Sequence, residues 1–251
     1  KHYTFPLTDY ENRYIIMNIF HVYILYSYII KQGAFMEKGF TLAEVLVTLG
    51  IIGFVAALTM PALIANYKKS EYSARLKKFN STMQQAILMY NTDSGEIPGT
   101  WGEPENNSEA IEEYWQKHFA PYFQNVAKLE KARNEYTSWR NGFIVYFGDG
   151  TKLGLSKGGT IDLKYDVNGD KLPNKYGRDQ YIFLLQKGNF SPYNWRGDIS
   201  NIEPPEGEEN YTTDMNDRNN LVRLCKRDTT FCSQLLQLDG WEYKPDYPHR
   251  L

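Results

Sequence analysis

The sequence predicts an α+β chain: a long N-terminal helix, its first half membrane-spanning, packed on a small antiparallel sheet, with a loop-rich C-terminal region. Three observations predict it. Residues 38–65 (KGFTLAEVLVTLGIIGFVAALTMPALIA) form an apolar run long enough to cross a bilayer. Beyond that run, apolar side chains recur by threes and fours at Tyr72, Leu76, Phe79, Met83, Ile87 and Tyr90, the spacing of a helix with one covered face. From residue 143 onward, short apolar segments alternate with turns rich in Gly, Asp and Asn, the pattern of an antiparallel sheet.

The helix is expected to run from Phe40 to about Tyr90. Residues 40–65 would lie in lipid, residues 66–92 would form the soluble half, and residues 93–251 the globular α+β domain. At about 1.5 Å per residue it would reach roughly 75 Å. Lys68, Lys69, Glu71, Arg75, Lys77 and Lys78 fall mostly on the solvent side. Gly50, Gly53 and Pro61 interrupt the span, and Pro61 removes a backbone hydrogen bond and can kink the helix. Residues 91–107 read as a turn-rich connector. Residues 108–123 read as an amphipathic helix capped by Asn107 or Ser108, with Ile111, Tyr114, Trp115, Phe119 and Tyr122 on its apolar side. Residues 143–147 and 152–155 form a hairpin across Gly148-Asp149-Gly150, and residues 160–165 and 180–185 are further strands. The stretch 188–219 is polar, with an acidic surface loop at residues 203–210. Residues 231–238 form a short helix, and the aromatic tail 241–251 packs back on the domain.

The chain opens with Lys, and residues 1–32 contain no glycine or alanine. Residues 14–30 imitate a second span. Gln32-Gly33-Ala34 back-translates to CAA-GGA-GCN, which contains the ribosome-binding sequence AAGGAG just ahead of the codon for Met36. Residues 1–35 are therefore expected to be mistranslated upstream DNA, with residues 36–39 as a short leader.

One feature of the span is unusual for a passive anchor. Glu44 is its lone carboxylate, and an acid at the centre of a membrane costs about 2.5–3.5 kcal/mol. Together, Gly39-Phe40-Thr41-Leu42-Ala43-Glu44-Val45-Leu46 resembles the cleavage and methylation segment of type IV pilins and of type II secretion pseudopilins, with Ala43 smaller than the usual aliphatic. The resemblance covers roughly thirty residues after Gly39. It implies a pilin-like fold, cleavage by a prepilin peptidase between Gly39 and Phe40, and methylation of the new Phe40 amine. It also implies an assembly role for Glu44, which would meet the Phe40 amine of a neighbouring subunit. Pairing would offset the cost of the buried charge and fix axial register. Gly50, Gly53 and Pro61 would mark where the helix bends on packing into a filament. The plainer alternative is a signal anchor whose Glu44 snorkels to the interface.

The resemblance further implies a single pass through the bacterial inner membrane, with the N-terminus cytoplasmic, the C-terminal domain outside, and the subunit in a pilus or pseudopilus after assembly. Partners would be further copies of the chain, other pilins or pseudopilins, the peptidase, an inner-membrane assembly platform and membrane lipid. Counting positive charges argues the other orientation, because Lys68, Lys69, Arg75, Lys77 and Lys78 lie beyond the span and only Lys38 just before it. The cleavage motif and the cysteines outweigh that count here. Cys225 and Cys232 would form a disulfide in an exported domain, the alternative being two buried thiols. A zinc site is not expected, since His118 is remote in sequence and His249 lies in the tail.

Residues 1–35 hold three of the 28 basic and two of the 30 acidic side chains, so the remainder carries a net charge of −3. That balance gives no bulk attraction to nucleic acid. No cofactor is expected, with one reservation. Asp166, Asn168 and Asp170 alternate as calcium ligands do, but the glycine comes too early for an EF-hand and no closing glutamate follows. The same residues read better as a turn between strands, with Asn, Gly and Pro in their usual roles. No nucleophile motif, phosphate loop or metal-spaced histidine set points to an enzyme. Two functional classes remain: a structural subunit of a type IV pilus or secretion pseudopilus, or a minor pilin-like subunit that binds DNA or a surface ligand.

Overall fold

The computed structural model describes residues 41–131, 142–194 and 214–251. The expected upstream region, the leader, Gly39, Phe40 and the acidic loop 203–210 lie outside the described residues. The chain divides into two compact units, residues 1–59 and 60–251.

The first helix, α1 (Leu42–Ser94), is assigned without a break through Gly50, Gly53 and Pro61. In the first unit its apolar side chains are uncovered: Leu46, Val47, Leu49, Ile52 and Phe54 are all at least 60% exposed. Among the described residues it is the one helix long and apolar enough to cross a membrane, and none of its most apolar window is buried by the chain.

The second unit is built on the other half of α1. Tyr72, Leu76, Phe79, Met83, Ala86, Ile87 and Tyr90 are buried, one stripe at helical spacing. The helix runs a turn further than the sequence suggested, taking in residues 91–94, where the Thr92 and Ser94 hydroxyls donate to the carbonyls of Leu88 and Tyr90. It stops where Gly95, at φ +73°, takes the left-handed conformation and donates to the Asn91 carbonyl.

Among the described residues, six strands form an antiparallel meander in sequence order: β1 (Val126–Lys131), β2 (Phe143–Phe147), β3 (Lys152–Lys157), β4 (Ile161–Asp166), β5 (Gln180–Gln186) and β6 (Asn189–Pro192). Alternation sets the faces. Ile161, Leu163 and Tyr165 of β4 and Tyr181, Phe183 and Leu185 of β5 share one core with α1. Phe79 centres that contact, stacked on Tyr165 at 4.0 Å and edge-on to Phe183 at 5.2 Å.

Helix α2 (Ser108–His118) begins at Asn107, whose side chain accepts from the Ala110 amide. It is shorter than expected, because Pro121 stands in a separate 3-10 turn, Ala120–Tyr122. Two elements at the C-terminal end complete the unit: α3 (Arg218–Arg227) and α4 (Cys232–Leu238), the latter preceded by a 3-10 turn over Thr229–Phe231. They enclose a second cluster of Met215, Leu221, Leu224, Cys225, Phe231, Cys232 and Leu235. Ser233 fastens α4 to the sheet by donating to the Ile182 carbonyl at 2.5 Å. The tail packs as expected. Trp241 is buried, Tyr243 and Tyr247 lie against the core, and Arg218 grips both Asp239 and Asp246.

Candidate functional site

The start of α1 carries the first candidate site. Thr41 is its N-cap: its carbonyl accepts from the Val45 amide, and its hydroxyl accepts from the Glu44 amide at 3.3 Å. Glu44 reaches back, its Oε2 accepting from the Thr41 amide at 2.9 Å and the Thr41 hydroxyl at 2.8 Å. This is a reciprocal capping box, which satisfies two otherwise orphan amides and places a negative charge at the positive end of the helix. The residue overlooked in the sequence was Thr41, although its signal, Thr-x-x-Glu ahead of an apolar run, was present. Glu44 thus has partners within its own chain. Its carboxylate stays exposed, so it is held in place but not enclosed. Added Cβ atoms at Gly50 and Gly53 would meet nothing within 4 Å, so the two glycines present open faces along the span.

The cations beyond the span fall into two groups. Arg75 donates to the carbonyls of Asp149 and Val167 and pairs with Glu71. Lys77 pairs with Glu242, and Lys78 with Asp149 at 2.7 Å. The fold therefore consumes the three cations furthest from the span. Lys68 and Lys69 lie nearest to it, beside an exposed Tyr67.

The second candidate site is the β4–β5 loop with Asp166, Asn168 and Asp170. The β3–β4 register sets Lys152 directly opposite Asp166. Lys152 Nζ lies 2.7 Å from Asp170 Oδ1 and 3.8 Å from Asp166 Oδ2. Burial raises the Asp166 carboxyl to about 6, against the pull of the Gln180 amide and Lys152. Asn168 turns its amide nitrogen towards Tyr72 Oη and Asp179 Oδ2. Asp179, unnoticed in the sequence, is the loop's anchor, accepting from the amides of Asn174 at 2.8 Å and Lys175 at 2.6 Å. With an ammonium between two of the three candidate ligands and a donor on the third, the residues in this arrangement do not fit a metal ion.

Cys225 and Cys232 are joined by a disulfide between α3 and α4, with an S–S distance of 2.02 Å. His249, from the tail, lies beside them, its Nε2 2.9 Å from the Cys225 carbonyl oxygen. The three residues bring their ligand atoms within 4.8 Å of one another, but the sulfurs are bonded to each other and offer no thiolate. Gly177 closes the assembly: a Cβ there would strike His249 and the Cys232 sulfur, at 2.9 and 3.1 Å. The Tyr247 hydroxyl donates to the Gly177 carbonyl at 2.7 Å, so the tail straps the β4–β5 loop to the disulfide.

Comparisons with known proteins divide along the same line as the chain. A family model described as a family of unknown function (DUF6613) matches residues 62–251, and one described as the prokaryotic N-terminal methylation motif matches residues 35–60. The chain is 32% identical over 69 residues to type II secretion system core protein G of Pectobacterium carotovorum subsp. carotovorum, covering 28% of this chain and 44% of that protein. It is 33% identical over 64 residues to type II secretion system core protein G of Aeromonas hydrophila, covering 26% and 44%. The chain thus spans less than half the length of these curated relatives. No solved structure matches. The segment around Glu44 carries the methylation motif of the pilin and pseudopilin family.

Proposed function

We propose that this chain, which belongs to the family of unknown function DUF6613, is a structural subunit of a type IV pilus or type II secretion pseudopilus. It is cut by a prepilin peptidase between Gly39 and Phe40, methylated on the Phe40 amine, and polymerised through α1. One observation carries the reading. The first half of α1 leaves a continuous apolar surface uncovered, while the second half of the same helix forms the domain core. Large exposed apolar surfaces need a cover, and lipid before assembly and neighbouring helices after it supply one. A removable signal peptide would not share a helix with the core.

Glu44 then has two successive partners. Before cleavage it closes the capping box with Thr41. After cleavage an amine appears one turn away, and in a filament the equivalent amine of a neighbour comes within its reach. Pairing with that amine offsets much of the cost of enclosing the carboxylate in an apolar bundle and fixes axial register, while burial of the apolar surface favours the assembled state. The domain stands outside the cytoplasm, a side that suits its disulfide. The chain's partners are further copies of itself, other pilins or pseudopilins, the peptidase and an inner-membrane assembly platform.

Glu44→Ala with Gly39 retained tests the reading. Membrane insertion and cleavage are expected to match the wild type, while the variant is strongly depleted from sheared filaments. Filaments at the wild-type level would contradict the role assigned to Glu44.

A further inference from the structure

We propose that the Lys152 ammonium is the resident cation of the β4–β5 loop, standing where the Asp-x-Asn-x-Asp spacing would otherwise place a calcium ion, and that the loop therefore holds its shape without metal. This inference does not rest on the filament reading.

The geometry comes from the sheet. Lys152 opens β3 and Asp166 closes β4, and the register makes them direct cross-strand partners. Lys152 is 7% exposed and Asp166 is 0% exposed. A lysine so placed must be paired, since a lone buried ammonium is strongly unfavourable. Its nitrogen reaches Asp170 Oδ1 at 2.7 Å, drawing the exposed end of the loop back over the sheet, and lies 3.8 Å from Asp166 Oδ2. The carboxylates of Asp166 and Asp179 are committed to N–H donors. Asp166 Oδ2 accepts from Gln180 Nε2 at 2.8 Å, and Asp166 Oδ1 from the Asn168 amide at 3.2 Å. Turned to satisfy its neighbours, the Asn174 side-chain nitrogen donates to Asp166 Oδ2 at 3.1 Å and to the Gly169 carbonyl at 3.0 Å. Asp179 receives two backbone amides and the Asn168 side chain.

A calcium ion takes six to eight oxygen ligands. To enter here it would have to evict the ammonium and several N–H donors together. Asn168 Oδ1 is buried without a hydrogen-bond partner, and Asp170, at the exposed end of the loop, offers Lys152 only its Oδ1. A cation carried on a side chain is not removed by a chelator, so the order of the loop is uncoupled from calcium.

The full-length protein in detergent tests this with three chains: wild type, Lys152→Met and Lys152→Arg. Each is melted in calcium chloride and in a calcium chelator, and calcium binding is measured by calorimetry. The wild type is expected to melt at the same temperature in both and to bind no calcium at the loop. Lys152→Met is expected to melt lower in chelator, and to bind calcium with partial recovery of its melting temperature. Lys152→Arg keeps the charge and is expected to melt near the wild type in both. A wild-type melting temperature that rises with calcium overturns the proposal. So does a Lys152→Met chain that melts like the wild type or ignores calcium, or an arginine variant that falls as far as the methionine one. If Lys152→Met does not fold, Asp170→Asn, at the exposed end of the pair, is expected to melt below the wild type and to be indifferent to calcium. An unchanged melting temperature there overturns the proposal equally.

Discussion

Glu44 and His118 show how one side chain's meaning depends on what lies three or four residues away, or across a fold. Within the span Glu44 reads as a lone acid that needs a neighbour's amine or the membrane interface. Thr41, three residues earlier, makes it a helix-capping group as well, and a local rule of helix termini was enough to find it. His118 was invisible by comparison. It lies among the rings of Tyr90, Trp101 and Tyr114 at centroid distances of 4.6, 4.8 and 4.0 Å, and its Nδ1 meets the Tyr114 carbonyl at 2.8 Å. No local pattern announces such a cage, because its walls come from three separate segments. Burial holds the imidazole below its ordinary value, with Lys117 acting the same way and the Tyr114 carbonyl and Glu96 opposing. The unfolded chain therefore takes up a proton at a higher pH than the folded chain does. The stability contributed by the neutral ring is present above about pH 6.5 and is lost as pH falls below it, at most about 1.4 kcal/mol per pH unit. Melting His118→Phe beside the wild type at pH 7 and pH 5 checks this: the variant should lose less stability on acidification. An equal loss in both would remove His118 from the account.

At the scale of elements, the apolar segments were legible and the charged ones were not. Strands β2 to β5 stood out because their apolar runs are bounded by Gly and Asp turns. β1, reading VAKLEK, was missed because an exposed edge strand carries lysine and glutamate, which blunt edge pairing and hide the alternation. β6 is only four residues long. Helix α3, reading RNNLVRLCKR, was not anticipated: it begins at the end of the polar stretch and runs through residues given no element, although Asp217 caps it and Leu221, Leu224 and Cys225 mark one buried stripe. Lys152 could not be linked to the loop from sequence, since only the β3–β4 register brings it opposite Asp166. The disulfide ties α3 to α4 across seven positions, and a loop of that size is stabilised by about 2.5 kcal/mol on the chain-entropy model. Adding a thiol reductant to the purified protein should lower its melting temperature accordingly. Because Gly177 and His249 pack on the sulfurs, hydrogen exchange should rise in the tail and the β4–β5 loop first. Uniform loosening would contradict that strap.

At the scale of the molecule, two units answer two demands. Residues 60–251 bury their apolar stripe internally, in a helix-on-sheet layer with a second small cluster beneath α3 and α4. Among the described residues nothing gives the apolar half of α1 such a cover, and its one acid is held at the very start of the helix. That division was legible from sequence, because spanning length, an isolated carboxylate and helical spacing beyond the span are all local properties. The structural role proposed for the subunit depends on a new amine appearing next to Glu44. The mass of the N-terminal peptide from sheared filaments tests this most directly. The account predicts a chain beginning at an N-methylated Phe40. Filament subunits that keep Gly39 and the residues before it would contradict it.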